Sequence, residues 1–188
     1  AIRANQASNV QMVGNGAARI GEVALYSEFA FEGALIASNL VDTAATGISV
    51  TNFDEGGRLA VVQGNILRNL VRREHEPVDK RGEGIAVEAD AAVTGNVVDG
   101  AATAGIVIGW GRYMRDCTAT GNVIRNAPVG IAITSDPTAG ACLVTANLIS
   151  NARDGAIRAM SLGTLLGPDL ARNPPANARA VISGNAGA

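Results

Sequence analysis

Acidic and basic side chains that could do chemistry together occur in the middle of the chain. Glu88 and Asp90 stand two residues apart, so on one strand they would project from the same face about 6.5 Å apart. With Arg112 or Arg115 beside them, they could act as acid and base on a uronate, as a lyase or epimerase requires, or bind a cation. The alternative is a solvated strand face, where such carboxylates are ordinary.

Aromatic residues in the next turn are candidates for ligand binding. The only tryptophan, Trp110, lies in a Gly-Trp-Gly turn, and Tyr113 follows it. An exposed Trp with Tyr and Arg nearby has the composition of a binding hot spot, and its flat ring can stack on a sugar. Thr134 and Asp136 complete the predicted ligand-binding set. Alternatively, Trp110 folds over the turn as a lid on local apolar surface.

The chain has a single histidine, His75, so the sequence offers no histidine pair for a metal or for nucleophilic catalysis. Its neighbours are charged, which predicts an exposed loop over residues 72–83. This loop could bind an acidic glycan, or it could serve solubility alone. We expect no metal site and no cofactor, and nothing specific in the sequence supports Ca²⁺.

An asparagine at a bend recurs along the whole chain and indicates the architecture that must position these residues. A period near 25 residues with occasional insertions is typical of a solenoid. A glycine follows most bends by eight or nine residues. The bend asparagines are Asn9, Asn39, Asn65, Asn96, Asn122, Asn147 and Asn185, and the glycines are Gly21, Gly47, Gly84, Gly105, Gly130 and Gly155.

The residues between these landmarks predict strands rather than helices. Ile106-Val107-Ile108 and Ile131-Ala132-Ile133 alternate with period two, and β-branched residues are frequent. Three short strands per repeat describe a parallel β-helix. We therefore predict an all-β fold, with about six to seven coils in one domain over residues 1–188. Insertions are expected at 72–83 and at 162–178, the second with a short helix.

Asparagine suits the corners because it tolerates the left-handed backbone region at low cost. Coils stacked at roughly 4.8 Å would let the side-chain amides bond one another along a ladder. The predicted members of this ladder are Asn39, Asn65, Asn96, Asn122 and Asn147.

The unit Gly-Asn-x-Ile-x-Asn, followed by a spacer and Gly-Ile-x-Ile, resembles the right-handed parallel β-helix repeat of pectate-lyase-like proteins. The segments 22–26, 51–65, 84–90 and 109–113 are similar to an uncharacterised bacterial family of twin-arginine-translocated repeat proteins, and the similarity covers nearly the whole chain. This resemblance implies a periplasmic or secreted location and a place at the C-terminal end of a longer exported protein. It supplies no catalytic residues.

The resemblance also implies where a polysaccharide would bind. In pectate-lyase-like folds the groove follows the outward face of the strand after the glycine. The positions that we assign to this face are Ser49, Thr51, Ala86, Glu88, Val107, Gly109, Ala132 and Thr134.

Composition excludes some classes of function. A net charge of −2 gives no electrostatic footprint for nucleic acid, and the short apolar runs predict no membrane span. Cys117 and Cys142 occupy a column of small residues, where two stacked thiols are favoured although a disulfide stays open. The sequence thus favours glycan recognition, with an acidic-polysaccharide lyase or epimerase, or an interaction scaffold, as alternatives. It leaves the oligomeric state open.

Overall fold

The predicted parallel β-solenoid is confirmed. The computed structural model describes residues 1–51, 56–175 and 179–187, and the chain makes about six turns. Every strand pairing in these residues is parallel except the one between the seventeenth and eighteenth strands. The strands are β1 (Ile2–Asn5), β2 (Ser8–Val13), β3 (Gly16–Glu28), β4 (Glu32–Ala37), β5 (Leu40–Thr51), β6 (Arg58–Gln63), β7 (Ile66–Leu70), β8 (Glu83–Val87), β9 (Ala91–Thr94), β10 (Val97–Ala101), β11 (Ala104–Ile108), β12 (Cys117–Thr120), β13 (Val123–Arg125), β14 (Val129–Thr134), β15 (Cys142–Thr145), β16 (Leu148–Ser150), β17 (Gly155–Ser161), β18 (Thr164–Leu166) and β19 (Ala180–Ser183).

The stacked strands form three faces around a thin apolar core. The first face contains the second half of β5 and then β8, β11, β14 and β17. The second face is the separate sheet that runs from β2 to β19. The third face contains the first half of β5 and then β7, β10, β13 and β16. Because the register repeats from coil to coil, like side chains lie above one another, for example Ile85, Ile106, Ile131 and Ile157.

The asparagines at the corner between the second and third faces form a continuous hydrogen-bonded column. The Nδ2 of Asn96 donates to Oδ1 of Asn122 at 3.0 Å, and the backbone N–H of Asn96 donates to the same oxygen at 3.0 Å. Nδ2 also donates to the carbonyl of Val62 in the preceding coil. Buried amides are thereby satisfied without water. The corner column comprises Asn15, Asn39, Asn65, Asn96, Asn122, Asn147 and Asn185.

The assignment of Asn9 to the first corner is wrong, because Asn15 donates to Asn39 at that place. Asn9 instead lies inside β2 with a positive φ of 54°. Asn9 and Asn15 both fit the approximate period, because the first coil is irregular and the number of residues to the next bend does not distinguish them. Only the pairing of β3 with β5 fixes the register.

A column of very small residues lines the inside of the first face. A Cβ at Gly105 would collide with Cγ2 of Ile124 and lie 2.8 Å from the carbonyl oxygen of Gly130, so only glycine fits there. The glycine landmarks after the bends coincide with this column except at Gly21 and Gly155, because strand register places the alanines Ala24 and Ala156 there. The column comprises Ala24, Gly47, Gly84, Gly105, Gly130 and Ala156.

The two cysteines are buried free thiols that pair in register on β12 and β15. Burial raises the pKa of Cys117 to about 12 and that of Cys142 to about 11. They share an inward column with alanines, including Ala60 and Ala91, and serve there as small apolar residues.

Insertions leave the stack at two places. The first lies between β7 and β8 and contains a single 3-10 turn, Val78–Lys80. The second follows β17, where β18 returns antiparallel so that Met160 pairs with Leu165. The short helix expected in the second insertion is absent from its described residues, because the chain forms this hairpin instead. Residues 52–55 and 176–178, which the sequence placed in a projecting turn and at the end of the second insertion, lie outside the described residues.

Candidate functional site

The expected open groove on the first face is wrong, because the face is covered. A second apolar cluster forms there, separate from the inner core, and includes Val107 and Ala132. Met160 belongs to this cluster, and Trp110 and Leu165 pack against it. We call it the outer cluster. Six positions assigned to the solvent-facing groove expose at most 6% of their surface: Ser49, Thr51, Glu88, Val107, Ala132 and Thr134.

A cavity of about 160 Å³ lies beside the outer cluster. Its wall includes Val107, Ala132 and Leu165, with Arg72 and Arg153 also among the lining residues. The face therefore presents a small, mainly apolar recess rather than a long polar groove.

The predicted carboxylate pair on one strand is also wrong. Strand β8 ends at Val87, and Asp90 lies at the following corner with a φ of 41°, so it does not share a strand face with Glu88. Glu88 is 4% exposed. Asp90 instead forms a bidentate ion pair with Arg115, at 2.8 Å to Nε and 3.2 Å to Nη2. This hydrogen bonding raises the pKa of Arg115, whose guanidinium also donates to the carbonyl of Gly57.

The turn after β11 carries the predicted recognition residues and is itself well defined. Trp110 and Tyr113 exchange two backbone hydrogen bonds of 3.1 Å each, which closes a tight turn over Gly111 and Arg112. The Trp110 ring packs against the outer cluster, and Nζ of Lys80 lies 4.6 Å from the ring centroid. The structure therefore agrees with the alternative in which Trp110 acts as a lid.

A cleft of about 250 Å³ is lined in part by residues of this turn, and we call it the arginine cleft. It brings together three of the residues that the sequence singled out, whereas Trp110 is not among its lining residues. The guanidinium of Arg112 lies 5.2 Å from the centroid of the Tyr113 ring. The lining residues are Ala89, Arg112, Tyr113, Met114, Arg115, Thr138 and Gly140.

Thr134 and Asp136 support the cleft rather than line it. The hydroxyl of the buried Thr134 donates to the carbonyl of Gly111 at 2.7 Å and so ties β14 to the turn. Asp136 accepts hydrogen bonds from the backbone N–H and the hydroxyl of Thr138, which lower the pKa of its carboxyl group. Arg179 donates to the carbonyl of Asp136. Both predicted ligand-binding residues thus hold the walls in place.

Chemically, the arginine cleft is suited to binding an anion with an apolar edge. The exposed guanidinium of Arg112 can donate to a carboxylate or sulfate beside the ion pair of Arg115 with Asp90, and a tyrosine ring offers a surface for a sugar face. Proton abstraction is less well served, because Asp90 is held in its ion pair with Arg115 and Glu88 is buried.

The structure also gathers three possible metal ligands that sequence reasoning did not connect. Nε2 of His75 lies 3.9 Å from a carboxylate oxygen of Glu22 and 3.9 Å from one of Glu76. The expectation of no metal site considered only histidine pairs and overlooked the glutamate in β3. No spacing rule links Glu22 to a loop so far along the sequence.

No family model, curated protein or solved structure matches this chain. The fold and the cleft are therefore described on their own terms, as a parallel β-solenoid with a surface cleft lined by two arginines. Among the described residues, no helix has the length and apolar character needed to cross a bilayer.

Proposed function

We propose that this chain is a non-catalytic recognition module that binds an acidic glycan in the arginine cleft. The observation that carries the proposal is the placement of Arg112, Tyr113 and Arg115 around one cleft of about 250 Å³. The volume suits one or two sugar residues of a glycan rather than a long stretch of polymer. The cleft lies at the surface of a solenoid, so a polymer could continue past it.

The charge of the cleft favours an acidic over a neutral ligand. Arg112 is exposed, and the side chain of Arg115 keeps 42% of its surface exposed despite the ion pair with Asp90. A hydrogen bond to a charged group contributes roughly 1.5–3 kcal/mol. Stacking against Tyr113 would add an apolar contribution that does not depend on ligand charge.

The test compares an oligomer of galacturonic acid with its methyl ester, which has the same sugar and no charge. We expect binding of the acid form, detected by calorimetry, and much weaker binding of the ester. Arg112→Ala and Tyr113→Ala should each lower the affinity about tenfold or more. The matched control is Arg125→Ala, which removes an exposed arginine on the third face that pairs with Asp99 at 3.1 Å.

Equal affinity for acid and ester would refute recognition by charge, and an unchanged affinity in Arg112→Ala would place the site elsewhere. An increase in ultraviolet absorbance from unsaturated uronates would instead favour the alternative, a lyase. A binding partner that is a protein would favour an interaction scaffold.

The location belongs to the same proposal. The right-handed, pectate-lyase-like character and export by the twin-arginine route are supported by the motif resemblance alone. Detection of the protein in a periplasmic or culture-medium fraction would test this location directly.

A further inference from the structure

Glu22, His75 and Glu76 form a compact cluster at the edge of the solenoid, away from the residues of the arginine cleft. One ligand atom from each side chain lies within 4.8 Å of the other two. Glu22 and His75 are more than half exposed, with 71% and 52% of their side-chain surface accessible, whereas Glu76 is 20% exposed. One ligand is therefore anchored, and two can adjust their rotamers.

Two irregularities of the fold create this cluster. The pairing of β3 with β5 shifts register between Ile20 and Val23, so β3 carries an extra residue at the bulge that contains Glu22. Bulges re-aim side chains, and here one places a carboxylate at the sheet surface. The first insertion then returns across β5, so that the imidazole lies against Gly21, where a Cβ would be 3.8 Å from Cε1 of His75.

The loop end of the cluster is held by hydrogen bonds to the backbone of Glu76. Arg81 donates from Nε to the carbonyl oxygen of Glu76 at 2.6 Å, and the N–H of Glu76 donates to the carbonyl oxygen of Arg73. These bonds fix the loop segment next to His75. The side chains therefore need only small rotations, rather than a movement of the whole loop, to converge.

The donor set indicates which cation would bind. One imidazole nitrogen and two carboxylate oxygens suit Zn²⁺ and the neighbouring divalent transition ions, whereas Ca²⁺ and Mg²⁺ prefer oxygen ligands alone. In a tetrahedral zinc site with bonds of about 2.0–2.1 Å, ligand atoms lie about 3.4 Å apart. The two separations of 3.9 Å from Nε2 of His75 thus require a contraction of about half an ångström. The carboxylate oxygens of Glu22 and Glu76, which lie within 4.8 Å of each other, must approach by up to about 1.4 Å.

We propose that Glu22, His75 and Glu76 form a three-ligand site for Zn²⁺ or a similar divalent transition ion, with one coordination position open to solvent. Binding there would join the first insertion to β3 and so clamp the loop against the stack. The site is independent of the glycan proposal, since none of its ligands lines the arginine cleft.

The test uses ZnCl₂ in calorimetry together with NMR of the imidazole, and the single histidine makes its signal unambiguous. We expect one Zn²⁺ per chain and a shift of the His75 Nε2 resonance on binding. His75→Ala and Glu22→Gln should weaken binding at least about tenfold, because even outer-shell partners of metal ligands contribute 10- to 100-fold. Glu74→Gln is the matched control, an exposed glutamate of the same loop that is outside the cluster.

Zn²⁺ binding that persists in His75→Ala, or an unshifted imidazole resonance at saturation, would overturn the proposal. The same holds if millimolar Zn²⁺ produces no binding heat and no shift. Binding to the cysteines is distinguished by Cys117→Ala, which should leave the affinity unchanged because both thiols are buried. The imidazole shift is measured in the unmutated chain, so a variant that fails to fold does not compromise the test.

Discussion

The corner column runs from coil to coil through the solenoid, whereas the arginine cleft is a local feature, and the two differ in how they are built. In the corner column, each coil contributes the same residue to the same hydrogen bonds, and Asn65, Asn96 and Asn122 have no solvent-accessible surface. In the arginine cleft, one turn contributes Arg112 and Tyr113, and neighbouring segments supply different residues. The repeated residues of the corner column therefore stabilise the fold, whereas the non-repeated residues of the arginine cleft form a surface that can bind a ligand.

The largest effect should come from breaking the corner column with Asn96→Ala. This change removes the oxygen that accepts from Asn65 and the Nδ2 group that donates to Oδ1 of Asn122 and to the carbonyl of Val62. The backbone N–H of residue 96 keeps its bond to Asn122. Several buried polar groups would lose partners at roughly 1–3 kcal/mol each. We expect the free energy of unfolding in urea to fall by about 4 kcal/mol.

The control for that experiment is Asn173→Ala, because Asn173 donates to the carbonyl of Asp169 in an exposed position and its φ is not positive. It should change stability by about 0.5 kcal/mol or less. Equal losses for the two variants would show that burial of the column is not what makes it important.

A somewhat smaller loss is expected from Gly105→Ala, which tests the small-residue column. The new methyl group would overlap Ile124 and the backbone of the next coil, and overpacking typically costs about 1–3 kcal/mol. Gly16→Ala is the control, since a Cβ at Gly16 would have no atom within 4 Å and the φ of this residue is not positive. The midpoint of thermal unfolding should fall for Gly105→Ala and stay unchanged for Gly16→Ala.

Trp110→Ala tests whether Trp110 acts as a lid on the outer cluster or as a residue that binds the ligand. Since the ring covers the outer cluster and contacts Lys80, we expect a loss of about 1.5 kcal/mol in urea unfolding. Affinity for an acidic glycan should change less than in Tyr113→Ala. A variant with full stability and no glycan binding would show that Trp110 acts on the ligand instead.

The smallest effect is expected for Cys142→Ala. At neutral pH the free energy of unfolding should not change, because alanine already occupies other positions of the inward column that contains Cys142. Burial raises the pKa of the Cys142 thiol from 9.0 to about 11, so the unfolded chain ionises first. The stabilisation is complete below pH 9 and is lost as the pH rises towards 11. The stability of the variant should therefore decline less steeply over this window in reductant, whereas parallel curves would contradict burial of the thiol.

The sequence predicted the repetitive part of the molecule because local rules act there. Period-two alternation specifies strands, and residues with the bend pattern of Asn96 and Asn122 specify corners, so parallel stacking follows from their spacing. The irregular first coil was harder, since Asn9 and Asn15 both fit the period and only strand pairing distinguishes them.

The covering of the first face could not be predicted, because it depends on where two insertions fold back. Alternation showed that Val107 and Ala132 point outward, but not that Met160 and Leu165 would meet them. The same limitation hid the cluster of Glu22 and His75, which are brought together by a bulge and a returning loop.

Hydrogen exchange resolved by residue tests the contrast between the two regions most directly. The backbone N–H of Asn65 and Asn96 should exchange only through global unfolding, since each donates to a buried asparagine oxygen. The N–H groups of Trp110 and Tyr113 should exchange sooner, through local opening of the turn. Equal protection at the four amides, or faster exchange at the corners than in the turn, would contradict the account.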